Sequence, residues 1–337
     1  MPLPQTEKAV DKTTPKNKEE LVEKINKKFG DHAIFRMGDQ PQKTDIRVLS
    51  TGSLSLDFAT GVGGLPRGRV IEIFGPEKSG KSMLLLSTIA QTQKSGGYCA
   101  FIDVEHALTP SFARLLGVNL DELYLSRPDT GNEALQIMEE LIASGMFDIV
   151  GLDSVAALTT EAELEGDYNQ VHVAALAKMM AQALRNMTAK VSKTQTIAVF
   201  INQIREKPMV LFGKSEYTTG GKALKFFASM RIEVRKTIDE KDSKGKIVGH
   251  TARCVIEKNK VAPPFSQCEI KLNYTTGIDK LHDLLLIGKQ LDIISQSSSW
   301  FSYKDYSWNG IEEAKKALVD NGALLEIIHE EIKTKIC

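Results

Sequence analysis

Val70-Ile-Glu-Ile-Phe74, Gly75-Pro76-Glu77-Lys78-Ser79-Gly80-Lys81-Ser82 and Met83-Leu-Leu-Leu86 follow one another without a break. The first segment reads as a buried strand and the last as the start of an apolar helix. The residues between them have the Gly-x-x-x-x-Gly-Lys-Ser spacing of a phosphate-binding loop. Its glycines let successive backbone N–H groups curl round an anion, and the helix N-terminus adds favourable potential. The spacing places the Lys81 ammonium on the β- and γ-phosphates of a nucleoside triphosphate and the Ser82 hydroxyl on Mg²⁺.

Three further apolar runs, Tyr98–Ile102, Ile149–Leu152 and Thr196–Ile201, follow Val70–Phe74 with helical segments between them. That alternation predicts an α/β fold with a mostly parallel central sheet. Each run ends on a chemically capable residue: the Gly75 loop, Asp103 with Glu105, Asp153, and Asn202-Gln203. Ligands of doubly wound sheets bind at that edge. Asp153 is expected to hold Mg²⁺ through water, a turn-forming role being the alternative. Glu105 is expected to act as base or positioner for a water attacking the γ-phosphate; pairing with a nearby lysine is its other reading. The Gln203 amide sits where it could sense the γ-phosphate. Gly151, unusual inside a strand, suggests a close approach.

After residue 228 the periodicity becomes two. Arg231–Arg235 and Arg253–Glu257 flank a polar hairpin at Asp242–Gly245, so antiparallel strands should extend the sheet. From about Gly277 onward a helix, an aromatic turn at Trp300–Trp308 and two more helices read as a small α+β lobe. The first ~16 residues read as unstructured. Asn17 then caps a short amphipathic helix with Leu21, Val22, Ile25 and Phe29 on one stripe and Gly30 at its end. Such a helix must dock on its own core or on a neighbouring subunit.

Composition is that of a soluble globular protein: 42% hydrophobic, 26% charged, with 43 basic and 43 acidic side chains. A nucleic-acid surface must therefore come from local clustering. The scattered Cys99, Cys254, Cys268 and Cys337 lack metal-type spacing and suit a reducing compartment, and no apolar run reaches membrane-spanning length, so a cytoplasmic location is expected. Local clustering is present. The stretch from Arg205 to Lys225 carries Arg205, Lys207, Lys214, Lys222 and Lys225 against Glu206 and Glu216, with Gly220-Gly221 near its end. It can offer cations and backbone N–H groups to a phosphodiester chain, and Met209–Phe212 suit splayed bases or a neighbouring subunit. On the helix from about Val171 to Val191, Lys178, Gln182 and Arg185 oppose the stripe Leu176, Met180, Leu184, Met187; that polar face is either solvated or a DNA surface.

At this point the chain resembles the bacterial RecA recombinases, as a divergent member. The resemblance rests on Ser50–Asp57, Gly63–Pro66, Phe101–Leu108, Pro128–Gly131, Asp153–Leu158, Phe200–Arg205, Thr218–Lys225 and Lys258–Phe265. It implies a RecA-type ATPase core (43–278) between an N-terminal helix and oligomerisation arm (1–42) and a C-terminal lobe (279–337). It further implies a helical filament that uses ATP and Mg²⁺, binds single- and double-stranded DNA and exchanges strands. Autocleavage of a LexA-type repressor and contacts with recombination mediators are part of the same implication. By that resemblance Lys81, Glu105 and Gln203 are catalytic, and Phe112 and Tyr274 lie near the adenine. Arg185, Gly220 and Gly221 contact phosphate, and the segments 161–173 and 205–222 are DNA loops. Lys225, Phe226, Arg231, Lys258 and Lys260 would reach a neighbour's ATP, and the arm with Arg36 would dock on the next subunit. A hexameric helicase-like ring shares the sheet and the phosphate loop but should lack the Lys258/Lys260 segment and the Thr-Thr-Gly-Gly loop.

The chain departs from the family pattern at Lys78, Thr109, Val173 and Lys222, at Pro208, which stiffens the second loop, and in a C-terminus without a strongly acidic tail. The last departure leads to an expectation of weaker restraint on duplex binding.

Overall fold

The computed structural model describes residues 17–31, 33–36, 38, 46–161, 163, 174–206 and 216–336. The leader, Val173, Lys207, Pro208, Met209–Phe212 and Lys214 lie outside these residues. The chain divides into two units, Met1–Ile46 and Arg47–Cys337. In the first, helix α1 (Lys18–Phe29) begins where expected: the Asn17 side chain accepts from the Glu20 N–H at 2.8 Å. Arg36 pairs with Glu19 at 3.1 Å, and no residue of α1 is buried.

In the second unit a small ladder of β1 (Val48–Leu49) and β2 (Leu65–Pro66) precedes the main sheet. Helix α2 (Leu54–Ala59) lies between them. The main sheet contains β3 (Val70–Gly75), β4 (Cys99–Asp103), β5 (Leu123–Ser126), β6 (Ile149–Asp153), β7 (Ile197–Glu206), β8 (Glu216–Thr218), β9 (Met230–Lys241), β10 (Ile247–Asn259), β11 (Gln267–Asn273) and β12 (Gly277–Ile278). Its order is β12-β11-β10-β9-β3-β7-β6-β4-β5, with β8 on β7. Every pair from β9 through β3, β7, β6 and β4 to β5 is parallel, and the β9–β12 extension is antiparallel. The fold class is therefore the one the alternating pattern implied.

Both faces of the parallel part are covered, which is why its strands read as continuous apolar runs. Helix α3 (Lys81–Lys94) buries Met83–Leu86 and Ile89 with Ile71, Ile73, Phe101 and Val199 on one face. On the other, α5 (Gly131–Ser144) and α6 (Ala175–Thr194) pack Met138, Ile142, Met180, Leu184 and Met187 against Val150, Leu152 and Phe200. The close approach at Gly151 is real: a Cβ there would lie 2.7 Å from Leu85 Cδ2, so the glycine lets α3 sit down on β6. A short helix α4 (Pro110–Leu115) follows β4, and α7 (Ala223–Phe227) follows β8.

The C-terminal elements α8 (Lys280–Gln290), α9 (Ile311–Asp320) and α10 (Gly322–Ile336) enclose their own core of Leu284, Leu285, Phe301, Trp308, Leu318 and Ile328. Two local readings change. Residues 300–308 form no mere turn but a hairpin, β14 (Trp300–Tyr303) and β15 (Tyr306–Asn309), joined by β13 (Ser295–Ser297). β5, too short and too exposed to show period-two burial, supplies the far edge of the main sheet. No helix among the described residues is long and apolar enough to cross a membrane.

Candidate active site

The parallel register brings the strand-end residues together. Gly75 of β3 is the direct neighbour of Gln203 on β7, and Asp103 of β4 of Asp153 on β6. The loop closes with Gly80 at φ +100°, where a Cβ would meet Leu272 Cδ1 at 2.2 Å, so only glycine fits. Lys78 also takes a left-handed conformation, φ +58°, with its side chain exposed and no ion pair among the described residues. Its charge is thus turned to solvent.

Lys81 is buried and its Nζ donates to the Pro76 carbonyl at 2.6 Å, closing the loop on itself. Burial lowers its pKa against the opposing pull of Asp153, Glu105 and Glu77. The Ser82 hydroxyl donates to Asp153 Oδ2 at 2.5 Å. Burial raises the Asp153 carboxyl to about 6, with the Ser82 bond working against it and Glu105 adding to it. No group of three or more His, Cys, Asp or Glu residues that could hold a metal ion occurs among the described residues. The paired Ser82 hydroxyl and Asp153 carboxylate are hard oxygen donors, which suit a cation such as Mg²⁺ whose remaining ligands are phosphate oxygens and water.

Glu105 is oriented by two donors on one oxygen: Ser154 Oγ at 2.5 Å and Gln203 Nε2 at 3.1 Å both reach Oε1. Oε2 is left as an acceptor. Gln203 is tied in turn to its neighbour, its backbone N–H donating to Asn202 Oδ1 at 2.8 Å. The Asn202 amide donates to the Thr219 carbonyl at 3.1 Å and to Glu72 Oε1 at 2.9 Å, and Thr219 Oγ1 donates back to Asn202 Oδ1 at 2.5 Å. A continuous polar path thus runs from Glu105 to the edge of the basic stretch. There Gly220 and Gly221, at φ +77° and +75°, press on Val155 and Ala177, with a Cβ coming within 2.8 and 2.7 Å. Lys178, Gln182 and Arg185 are exposed on α6, and Arg205 and Lys222 are exposed nearby in sequence to that edge.

Phe112 lies half-buried on α4 against the core. Thr109 caps that helix, its hydroxyl accepting from the Phe112 N–H at 3.3 Å, so this departure keeps a capping residue. The Tyr274 hydroxyl lies 3.2 Å from His250 Nδ1. Among the residues expected to face a neighbour, Phe226 and Lys260 are exposed. Lys258 Nζ instead donates to the Lys225 and Phe226 carbonyls at 2.7 and 2.9 Å, holding the end of α7.

Arg231 departs from its expected role. It is 4% exposed and its Nε donates to Glu72, itself 0% exposed, at 2.5 Å. Its Nη1 binds Glu257, and its guanidinium carbon stacks 4.2 Å from the Phe74 ring centroid. Buried and paired inside its own chain, this arginine ties β9 to β3 and β10 and is not presented to a neighbour's nucleotide. The period-two pattern of β9 sets Arg231 on the polar side with Glu233 and Arg235, opposite Ile232 and Val234, and its partner Glu72 looks like an ordinary polar interruption of β3. Ser154 and His250 likewise carry no sequence signal.

A family profile described as the RecA N-terminal domain matches residues 16–279. Over 326 residues the chain is 48% identical to the protein RecA of Clostridioides difficile strain 630, covering 96% of this chain and 93% of that one. It is 50% identical over 316 residues to the protein RecA of Caldanaerobacter subterraneus subsp. tengcongensis, covering 94% and 92%. A crystal structure of the RadB recombinase superposes with a TM-score of 0.52 at 21% identity, covering 68% of this chain and 98% of that one, a likeness of fold. With a family match over most of its length and relatives near half identity, the chain belongs to the bacterial RecA family of DNA-dependent ATPases.

Proposed function

We propose that this chain is an ATP-dependent DNA recombinase that assembles as a helical filament on single-stranded DNA and pairs it with homologous duplex. The observation that carries the reading is the path Glu105–Gln203–Asn202–Thr219, which joins the phosphate edge of the sheet to the basic stretch. ATP, with Mg²⁺ on Ser82 and Asp153, supplies the phosphoryl group whose transfer to water drives the cycle.

The chain's own groups divide the work. The loop amides and Lys81 bind and orient the phosphates, and the Pro76 carbonyl that Lys81 now holds is given up for them. Glu105 Oε2 takes the proton of the attacking water, while Ser154 and Gln203 on Oε1 fix the plane of the carboxylate. Gln203 has a second amide hydrogen for the γ-phosphate, and a shift of its backbone that accompanied this contact would be felt at Asn202 and Thr219. Lys178, Gln182, Arg185, Arg205, Lys207, Gly220, Gly221 and Lys222 form the DNA surface. Lys225, Phe226 and Lys260 face the neighbouring subunit's nucleotide, Lys258 reaches it by giving up the α7 carbonyls that it now holds, and Phe112 and Tyr274 face the adenine. The same filament would present the surface on which a LexA-type repressor cleaves itself. A cytoplasmic setting fits this work.

The test is ATP hydrolysis with and without single-stranded DNA at low salt. Turnover should rise strongly with DNA. Turnover indifferent to DNA would remove the recombinase reading.

A further inference from the structure

His250 lies beneath the phosphate loop, 1% exposed, on β10. Its Nε2 is 3.2 Å from the Ser79 carbonyl oxygen and its Nδ1 is 3.2 Å from the Tyr274 hydroxyl. The Ser79 carbonyl can only accept, so Nε2 carries the proton. Burial holds the ring below its ordinary pKa, so Nδ1 is unprotonated and accepts from Tyr274. The rings pack at 5.6 Å between centroids.

This contact bears on one peptide. In a trans peptide the C=O and N–H point in opposite directions. Drawing the Ser79 oxygen down onto His250 therefore turns the Gly80 N–H the other way, up into the anion cradle. The restraint matters here because Gly80, at φ +100° and without a Cβ, offers little resistance to a flip of that peptide. A flipped peptide would aim a carbonyl oxygen at the phosphates.

We infer that His250 is a positioning residue for nucleotide binding, locking the Ser79–Gly80 peptide with its N–H toward the phosphates, and that Tyr274 sets the tautomer that lets it do so. Through these three residues the expected adenine side of the pocket and its phosphate side are held by one hydrogen-bonded line. The inference rests on the nucleotide site proposed above.

The experiment compares His250→Ala, His250→Gln and Tyr274→Phe with the parent in steady-state ATP hydrolysis with DNA, and in direct binding of ATP by calorimetry. His250→Ala should raise KM and the ATP dissociation constant about tenfold, the size of one lost buried hydrogen bond, while kcat changes much less. His250→Gln, whose amide can donate to Ser79 and accept from Tyr274, should restore most of the affinity. Tyr274→Phe keeps the ring and loses the donor, so it should weaken ATP about twofold to threefold. Parental ATP affinity in His250→Ala overturns the inference, as does His250→Gln binding no better than His250→Ala. If His250→Ala fails to fold, Tyr274→Phe and His250→Gln decide: parental affinity in the first together with a large loss in the second refutes it. A parent that binds ATP but is deaf to DNA would refute the recombinase reading alone, because the binding arm still reads His250.

Discussion

Replacing Arg231 by methionine separates an internal role from an intersubunit one. The guanidinium spans Glu72 and Glu257 and covers the Phe74 ring, and both it and Glu72 are buried. With the arginine gone, the Glu72 carboxylate stays in the interior with the Asn202 amide, at 2.9 Å, as its remaining donor. Breaking a buried pair from one side costs about 3–5 kcal/mol, against roughly 0–1 kcal/mol for an exposed pair. Loss of the stacking adds roughly 1–2 kcal/mol at a desolvated site. The folding equilibrium should therefore fall by at least about two decades. The assay is urea denaturation of dilute, DNA-free protein followed by far-ultraviolet dichroism, since both tryptophans lie in the C-terminal lobe and would report only on it. The double variant Glu72→Gln/Arg231→Met leaves no buried charge and should recover most of the loss. If Arg231→Met unfolds within about 0.5 kcal/mol of the parent yet fails to assemble, the residue acts between subunits and the internal reading is wrong.

Glu105→Gln keeps an acceptor for Ser154 but loses the base, so kcat should drop about a hundredfold or more with ATP affinity little changed; single-turnover hydrolysis and ATP binding check the split. Gly221→Ala forces a side chain into φ +75° and against Ala177, costing about 1–2 kcal/mol locally; the DNA concentration giving half-maximal ATPase should rise, and an unchanged value would detach the glycine pair from DNA binding. The acids Asp57 and Asp283 lie buried where α2 meets α8; burial, with Asp283 adding to it, pushes Asp57 from 3.8 up to about 7, and burial raises Asp283 too. A folded pKa above the unfolded one means the stabilisation is present below about pH 4 and is lost as pH rises through about 7. Urea midpoints should accordingly fall between pH 4.5 and pH 8, less steeply in Asp283→Asn, and parallel profiles for the two proteins would contradict that coupling.

Local order was readable in the sequence wherever one segment carries its own cause. The Val70–Leu86 stretch contains strand, turn and helix signals in contiguous residues, and Asn17 and Gly30 bracket α1 by capping chemistry alone. The gathering of Glu105, Asp153 and Gln203 at the carboxyl edge of the parallel pairing agrees with the rule that ligands meet such a sheet there, although β7 itself runs on past Gln203 to Glu206 to pair with β8. What stayed hidden shares one property: its meaning lies in a partner far along the chain. Glu72 and Arg231 are 159 residues apart, and His250 and Ser79 are 171 apart. Each pair is made by the sheet order, which sets β9 directly beside β3 and β10 next to it. A charged residue in a strand, read alone, is indistinguishable from one facing solvent or a neighbour, so nothing local in the sequence opposed the outward role that the family resemblance implied for Arg231. The order β10-β9-β3-β7 reverses the inference. Strands from opposite ends of the ATPase core flank the phosphate loop, so polar side chains on β9 and β10 meet β3 and the loop that follows it, where Glu72 needs a cation and the Ser79 carbonyl needs a donor.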